Sequence, residues 1–217
     1  MNLEQARENM IEQQVRTWEV LDSRVLSVMR EVPREDFVPA RHRKLAFSDL
    51  RIPIGHEQIM MKPIEQGRAL QSLNLEGHEH VLEVGSGSGY LTACLAQLAA
   101  QVTSIERIEA LAELAKSNLT EHLDGKIALQ QGDVLSAEFP AQGFDVIVVP
   151  ASVASVPECF SRWLKTDGRV FIVRGQSPAM EAMLLTRTAD GRWREESLFD
   201  TDLPRLIGAE DAPIFNF

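Results

Sequence analysis

The sequence predicts an α/β fold: a mostly parallel sheet covered by helices on both faces, preceded by a helical extension and closed by an antiparallel hairpin. Three observations predict it. From residue 80 onward short β-rich runs alternate with amphipathic helical stretches, the pattern of right-handed βαβ units. A glycine-rich turn, "VLEVGSGSGYL" at residues 81–91, joins a strand to a helix. Near the end, "AMLLTRT" and "WREESLF" flank Ala189, Asp190 and Gly191, and Asp-Gly between two strand-like runs signals a hairpin.

Taken in order, the amino-terminal part is helical in period. Leu3, Ala6 and Met10 recur at spacings of three and four, as do Val25, Leu26 and Met29, with Asp22 as N-cap of the second run. Pro33, Pro39, Pro53 and Pro63 then punctuate a stretch that reads as loops with short helices, including the loop "GHEQIMMKP" at residues 55–63. From "HVLEV" the pattern changes. A helix from about Ser88, the strand "QVTSI", and a helix carrying Ile108, Leu111, Ala112, Ala115 and Leu119 on one face follow. The strands "KIALQ", "FDVIVV" and "RVFIV" complete the parallel run, the last two separated by a helix over residues 156–164. This divides the chain into an extension at 1–77, packed on a core at 78–217, as one structural domain. A chain of 217 residues is long enough for one such core.

Charge and composition exclude several partners. Lys and Arg total 22 against 32 for Asp and Glu, a net charge of −10, and no run of five or more basic residues breaks that balance. Nucleic acid, which is bound through clustered cations, is not an expected partner. Neither is a membrane, because no segment approaches the roughly 18 apolar residues of a span and the amino terminus lacks the pattern of a secretory signal. Cys94 and Cys159 lack the paired spacing of a metal site or a disulfide framework, which points to a reducing, cytoplasmic setting. Cys94, among Leu91, Leu95 and Leu98, reads as a core residue. "HEH" at 78–80 reads as solvated surface, and no metal is expected. "APIFNF", residues 212–217, is expected to dock its two phenylalanines on the core.

The chemistry concentrates in the glycine turn. Gly85, Gly87 and Gly89 permit positive φ and let backbone approach a ligand at a helix N-terminus. A dinucleotide fold places its third glycine where this chain has Tyr90, so the G-x-G-x-G spacing favours S-adenosylmethionine over NAD or FAD. Glu106 ends the second strand, where a carboxylate accepts both ribose hydroxyls. Asp133, in "QGD", ends the third, where it receives an adenine amino hydrogen. The candidate cofactor set is Glu83, Gly85, Ser86, Gly87, Ser88, Gly89, Glu106, Arg107, Gly132, Asp133 and Val134, for S-adenosylmethionine and its product S-adenosylhomocysteine.

The stretches "MIEQQVR", "DSRVLSVMREVPREDFVP", "AFSDLRIPIGHEQ", "LEVGSGSGYLTACLA", "SIERIEALAELAKSNL" and "GDV" together resemble the protein-L-isoaspartate (D-aspartate) O-methyltransferase family across most of the chain. The resemblance implies a Rossmann-like class I methyltransferase with a seven-stranded sheet, a protein or peptide substrate, and methyl transfer to isoaspartyl carboxylates in protein repair. In that family the substrate loop reads G-[HY]-G-Q-T-I-S-x-P. Here Gln58, Ile59, Met60 and Met61 form it, with Glu57 at the glycine, Ile59 at the threonine and Met61 at the serine. Further differences on the acceptor side are Pro150 for a threonine, Met180 for a glutamine and "TDLPRL" for V-R-F-V-P-L.

No catalytic residue is assigned, since a carboxylate acceptor with a reference pKa of about 4 is already ionised at neutral pH and needs no general base. The missing hydroxyls leave three readings open: an isoaspartyl carboxylate as acceptor, a different apolar or small-molecule acceptor, or cofactor binding without isoaspartyl transfer.

Overall fold

Asn2 and Asp22 begin the two helices that the amino-terminal periodicity predicts. Asn2 Oδ1 accepts from Gln5 N at 3.2 Å above α1 (Leu3–Met10), and Asp22 Oδ1 accepts from Arg24 N at 2.8 Å above α2 (Ser23–Glu31). Each satisfies an N–H that the helix start leaves open. The computed structural model describes residues 2–120 and 125–209 of the chain. "APIFNF" lies outside the described residues.

The proline-punctuated stretch differs from the expected loop. After 3₁₀ turns at Arg34–Asp36 and Ala40–Leu45, β1 (Ile52–Gly55) and β2 (Gln58–Met60) pair as an antiparallel hairpin. The chain reverses through Gly55, His56 and Glu57 at φ of 103°, 51° and 60°. No Asn-Gly or Asp-Gly marks this turn, so its sequence signal is silent. α3 (Pro63–Leu73) follows, with Pro63 in its first turn and Glu65 Oε2 accepting the Lys62 N–H at 2.9 Å.

The remaining strands form one sheet in the order β5-β4-β3-β6-β7-β8-β9: β3 (His80–Val84), β4 (Gln101–Glu106), β5 (Ile127–Gln131), β6 (Phe144–Val153), β7 (Leu164–Gln176), β8 (Ala179–Arg187) and β9 (Trp193–Thr201). β5 to β7 across the order pair in parallel, and β8 and β9 are antiparallel, as the Asp-Gly turn predicts. The connecting helices are α4 (Tyr90–Leu98), α5 (Glu109–Asn118) and α6 (Glu158–Trp163). β6 runs through Pro150 to Val153, further than "FDVIVV" suggested.

Strand alternation sorts side chains to two faces. Val81, Val102, Val146 and Phe171 pack with Met10, Val25 and Met29 of the amino-terminal helices, while Leu82, Ile105, Ile147 and Ile172 pack with Phe160 and Trp163 of α6. Cys94 is fully buried in the first of these clusters, and burial pushes its thiol up to about 12, in keeping with a core role. His80 departs from the solvated-surface reading. Its ring stacks 4.7 Å from Phe144, Nε2 lies 3.0 Å from Thr103 Oγ1, and burial lowers its pKa; His78 is exposed. Among the described residues no helix is long and apolar enough to cross a membrane.

Candidate active site

The turn after β3 carries all three glycines in the left-handed region, with φ of 92° at Gly85, 54° at Gly87 and 90° at Gly89. Their work divides. Gly85 and Gly87 line a cleft at the carboxyl edge of the sheet, and a Cβ at Gly87 would meet Ile54 Cδ1 at 3.1 Å. Gly89 does not line the cleft. A Cβ there would meet Leu119 at 3.1 Å and Ala115 Cα at 3.4 Å, so this glycine lets α4 start close against α5.

Glu106, at the end of β4, ties the turn in place. Oε2 accepts the Gly87 N–H at 3.0 Å and Oε1 accepts the Ile108 N–H at 2.9 Å, so one carboxylate fixes both the glycine turn and the start of α5. Both oxygens keep lone pairs for a diol, and the residue lines the cleft. Asp133 lies just beyond β5. Its Oδ1 accepts from Leu135 N at 3.0 Å, and its Oδ2 pairs with Arg107 Nη1 at 3.0 Å. Ser86, Ser88, Arg107, Gly132 and Val134 line the same space.

Glu83 is the exception in the cofactor set. Alternation turns its side chain beneath the sheet, fully buried, where Oε2 accepts from Thr92 Oγ1 at 2.5 Å and Ser104 Oγ at 2.6 Å, and it does not line the cleft. Burial, against those two bonds, raises its pKa from 4.5 to about 7. An acid with a raised folded pKa stabilises the fold below its free value and withdraws that contribution as pH rises through the folded value. The difference is roughly 3 kcal/mol once both values are passed. Glu83→Gln should therefore gain stability relative to the unsubstituted chain between pH 5 and pH 8, read from urea midpoints. A gap that does not change with pH would contradict the raised value.

The facing wall comes from the hairpin. Ile54, Gln58, Ile59, Met60 and Met61 all line the cleft, although Met60 and Met61 are 4% and 3% exposed and spend most of their bulk filling the core. Across from them stand Pro150 and Ala151 of β6, with Arg205, Leu206 and Ile207. That carboxy-terminal strap is pinned by Ser152, which donates from N to Pro204 O at 2.8 Å and from Oγ to Leu203 O at 2.8 Å, and accepts from Leu206 N at 2.8 Å. Met180, expected on the acceptor side, is instead buried in β8 between Gly175 and Thr201 and does not reach the cleft.

Residues that the sequence did not nominate complete the wall. Gln66 of α3 and Tyr90, at the missing third glycine position, both line it. Behind them lies Arg34, 0% exposed. Nε donates to Ala46 O at 2.8 Å and Nη2 to Met61 O at 2.7 Å. Nη1 donates to Gln66 Oε1, and the guanidinium sits 5.1 Å over the Tyr90 ring. Burial lowers its pKa.

A parallel sheet ending in an antiparallel hairpin, with a glycine turn and a strand-end carboxylate at its carboxyl edge, defines the Rossmann-like methyltransferase class. The sequence profile of the protein-L-isoaspartate(D-aspartate) O-methyltransferase family matches residues 5–202. Protein-L-isoaspartate O-methyltransferase 1 of Rhodopseudomonas palustris strain HaA2 is 40% identical over 205 residues, covering 94% of this chain and 84% of its own. A second R. palustris relative, from strain ATCC BAA-98 / CGA009 and named protein-L-isoaspartate O-methyltransferase, is 39% identical over 202 residues, covering 93% of each chain. A Plasmodium falciparum structure, described as a protein-L-isoaspartate O-methyltransferase in complex with S-adenosyl-L-homocysteine, superposes with a TM-score of 0.80 over 92% of this chain and 97% of its own; at 21% identity this likeness speaks for the fold. The chain belongs to the protein-L-isoaspartate (D-aspartate) O-methyltransferase family.

Proposed function

We propose that the chain transfers a methyl group from S-adenosylmethionine to the side-chain carboxylate of isoaspartyl residues in proteins or peptides. The observation that carries this reading is a single cleft that joins Gly85, Gly87, Glu106 and Asp133 at one end to the Gln58–Met61 hairpin at the other. Gly87 leaves a cradle that a side chain would fill, and Glu106 retains acceptor capacity for a ribose diol, so the residues fit the cofactor. In this reading residues 1–77 are an extension that delivers the acceptor wall to the core.

Bound S-adenosylmethionine supplies an electrophilic methyl on a positively charged sulfur. Transfer of that methyl to a carboxylate oxygen would break the S–C bond, leave its electron pair on sulfur, and give a methyl ester and a neutral sulfide. The chain has no proton to move in that step. Its task is alignment, which is worth roughly 7 to 11 kcal/mol in well-oriented reactions. Ile54, Ile59, Met61 and Pro150 add a water-poor wall. Opposite charges that cancel on the way to product lose less by leaving water than the charged reactants do, so an apolar wall favours the transition state over the ground state. The replacement of two loop hydroxyls by Ile59 and Met61 is compatible with transfer for this reason. The relatives above lend no support to a different acceptor or to a non-enzymatic chain.

Titration with S-adenosylhomocysteine by calorimetry, followed by a labelled-methyl assay on an isoaspartyl peptide, tests the reading. Saturable binding and label in the peptide are the expected results. Binding without label would leave a cofactor-binding protein with another task.

A further inference from the structure

A carboxylate brought against the apolar side of the cleft needs a donor, and the side chains at 59 and 61 offer none. Gln66 lines the same wall and is 3% exposed. A guanidinium only donates, so the bond from Arg34 Nη1 fixes which way the carboxamide lies: its oxygen faces Arg34 and its NH₂ faces away. Among the described residues no group accepts from that nitrogen. An amide locked from behind, with its side chain on the cleft wall and its NH₂ without a partner among the described residues, is a donor open to a ligand in the cleft.

We infer that Gln66 Nε2 binds the acceptor carboxylate and that Arg34 is the positioning residue that aims it. The inference rests on the isoaspartyl reading above and deepens it. Arg34 serves this role with three anchors. Nε on Ala46 O and Nη2 on Met61 O hold the guanidinium plane, so Nη1 meets Gln66 in one orientation, and the same side chain fixes the hairpin at Met61. The donor lost from the loop side chains is thereby supplied from α3.

The test uses S-adenosylhomocysteine-saturated protein and an isoaspartyl peptide, reading peptide affinity by calorimetry and methyl transfer to the same peptide. Gln66→Glu keeps an acceptor oxygen for Arg34, so the fold survives, but removes both N–H donors; Gln66→Met removes them without adding charge. Peptide affinity should fall roughly 10- to 100-fold in both, with the effect in KM rather than kcat and S-adenosylhomocysteine affinity within about twofold. Peptide affinity unchanged in both variants overturns the assignment. So does a loss confined to S-adenosylhomocysteine, which would turn the donor toward the cofactor.

Arg34→Lys keeps the charge and loses the fork. It should weaken peptide binding in the Gln66 chain and not further in the Gln66→Met background; equal losses in both would make Arg34 a residue of the fold only. An unsubstituted chain that binds the peptide without transferring methyl removes the proposed activity and leaves the donor judged by affinity. One that binds no peptide overturns both.

Discussion

Glu106→Ala is expected to weaken S-adenosylhomocysteine binding at least 100-fold in calorimetry. The carboxylate does two jobs at once. It accepts the Gly87 and Ile108 N–H groups at 3.0 and 2.9 Å, so its loss frees the glycine turn and the first turn of α5 together. In the proposed complex it also accepts the ribose hydroxyls. Hydrogen bonds to a charged partner contribute about 1.5–3 kcal/mol each, and 100-fold corresponds to about 2.7 kcal/mol, so two lost bonds suffice. Glu106→Gln retains one acceptor oxygen and should lose about tenfold. A change below fivefold in the alanine variant would remove Glu106 from the cofactor site.

The second large effect falls on stability. Arg34→Met should cost about 3–5 kcal/mol in urea unfolding, a large share of the roughly 5–15 kcal/mol that holds a domain together. The substitution fills similar space and sheds the desolvation cost of a buried cation. It also strands Ala46 O, Met61 O and Gln66 Oε1, all of which Arg34 satisfies. Each stranded acceptor costs about 1–3 kcal/mol, which outweighs the gain. A lower midpoint with an unchanged slope is the expected signature, and a loss below about 1 kcal/mol would mean that water or a shifted backbone replaces the bracket.

The two residues illustrate what a sequence discloses. The place of Glu106 on the cleft wall was legible because its signal is local: a strand end that follows a glycine turn, at the edge where open α/β sheets bind ligands. Asp133 followed from the same rule. Arg34 and Gln66 were not legible, because their bond joins residues 32 apart through a fold that places a 3₁₀ turn behind α3. The hairpin at residues 52–60 was missed for a different reason, since its reversal uses Gly55, His56 and Glu57 rather than a two-residue Asn-Gly signal.

Adjacency misled twice. Glu83 neighbours the glycine turn in sequence, but period-two alternation carries its side chain to the buried face, where Thr92 and Ser104 hold it. Met180 matched a family position by register, yet the β7–β8 turn leaves it paired with Gly175 inside the sheet. Gly89 belongs to the same lesson. It shares the positive φ of its neighbours and serves the contact of α4 with α5.

Ile59 and Met61 make acceptor choice the decisive property, because an apolar acceptor wall must still select a charged group. The direct measurement supplies labelled S-adenosylmethionine to the purified chain with two peptides that differ only in having an isoaspartyl or a normal aspartyl linkage at one position. Label is expected in the isoaspartyl peptide, approaching one methyl per site, and none above background in its aspartyl twin. Equal labelling of both peptides, or of neither while S-adenosylhomocysteine binds, would contradict the isoaspartyl reading.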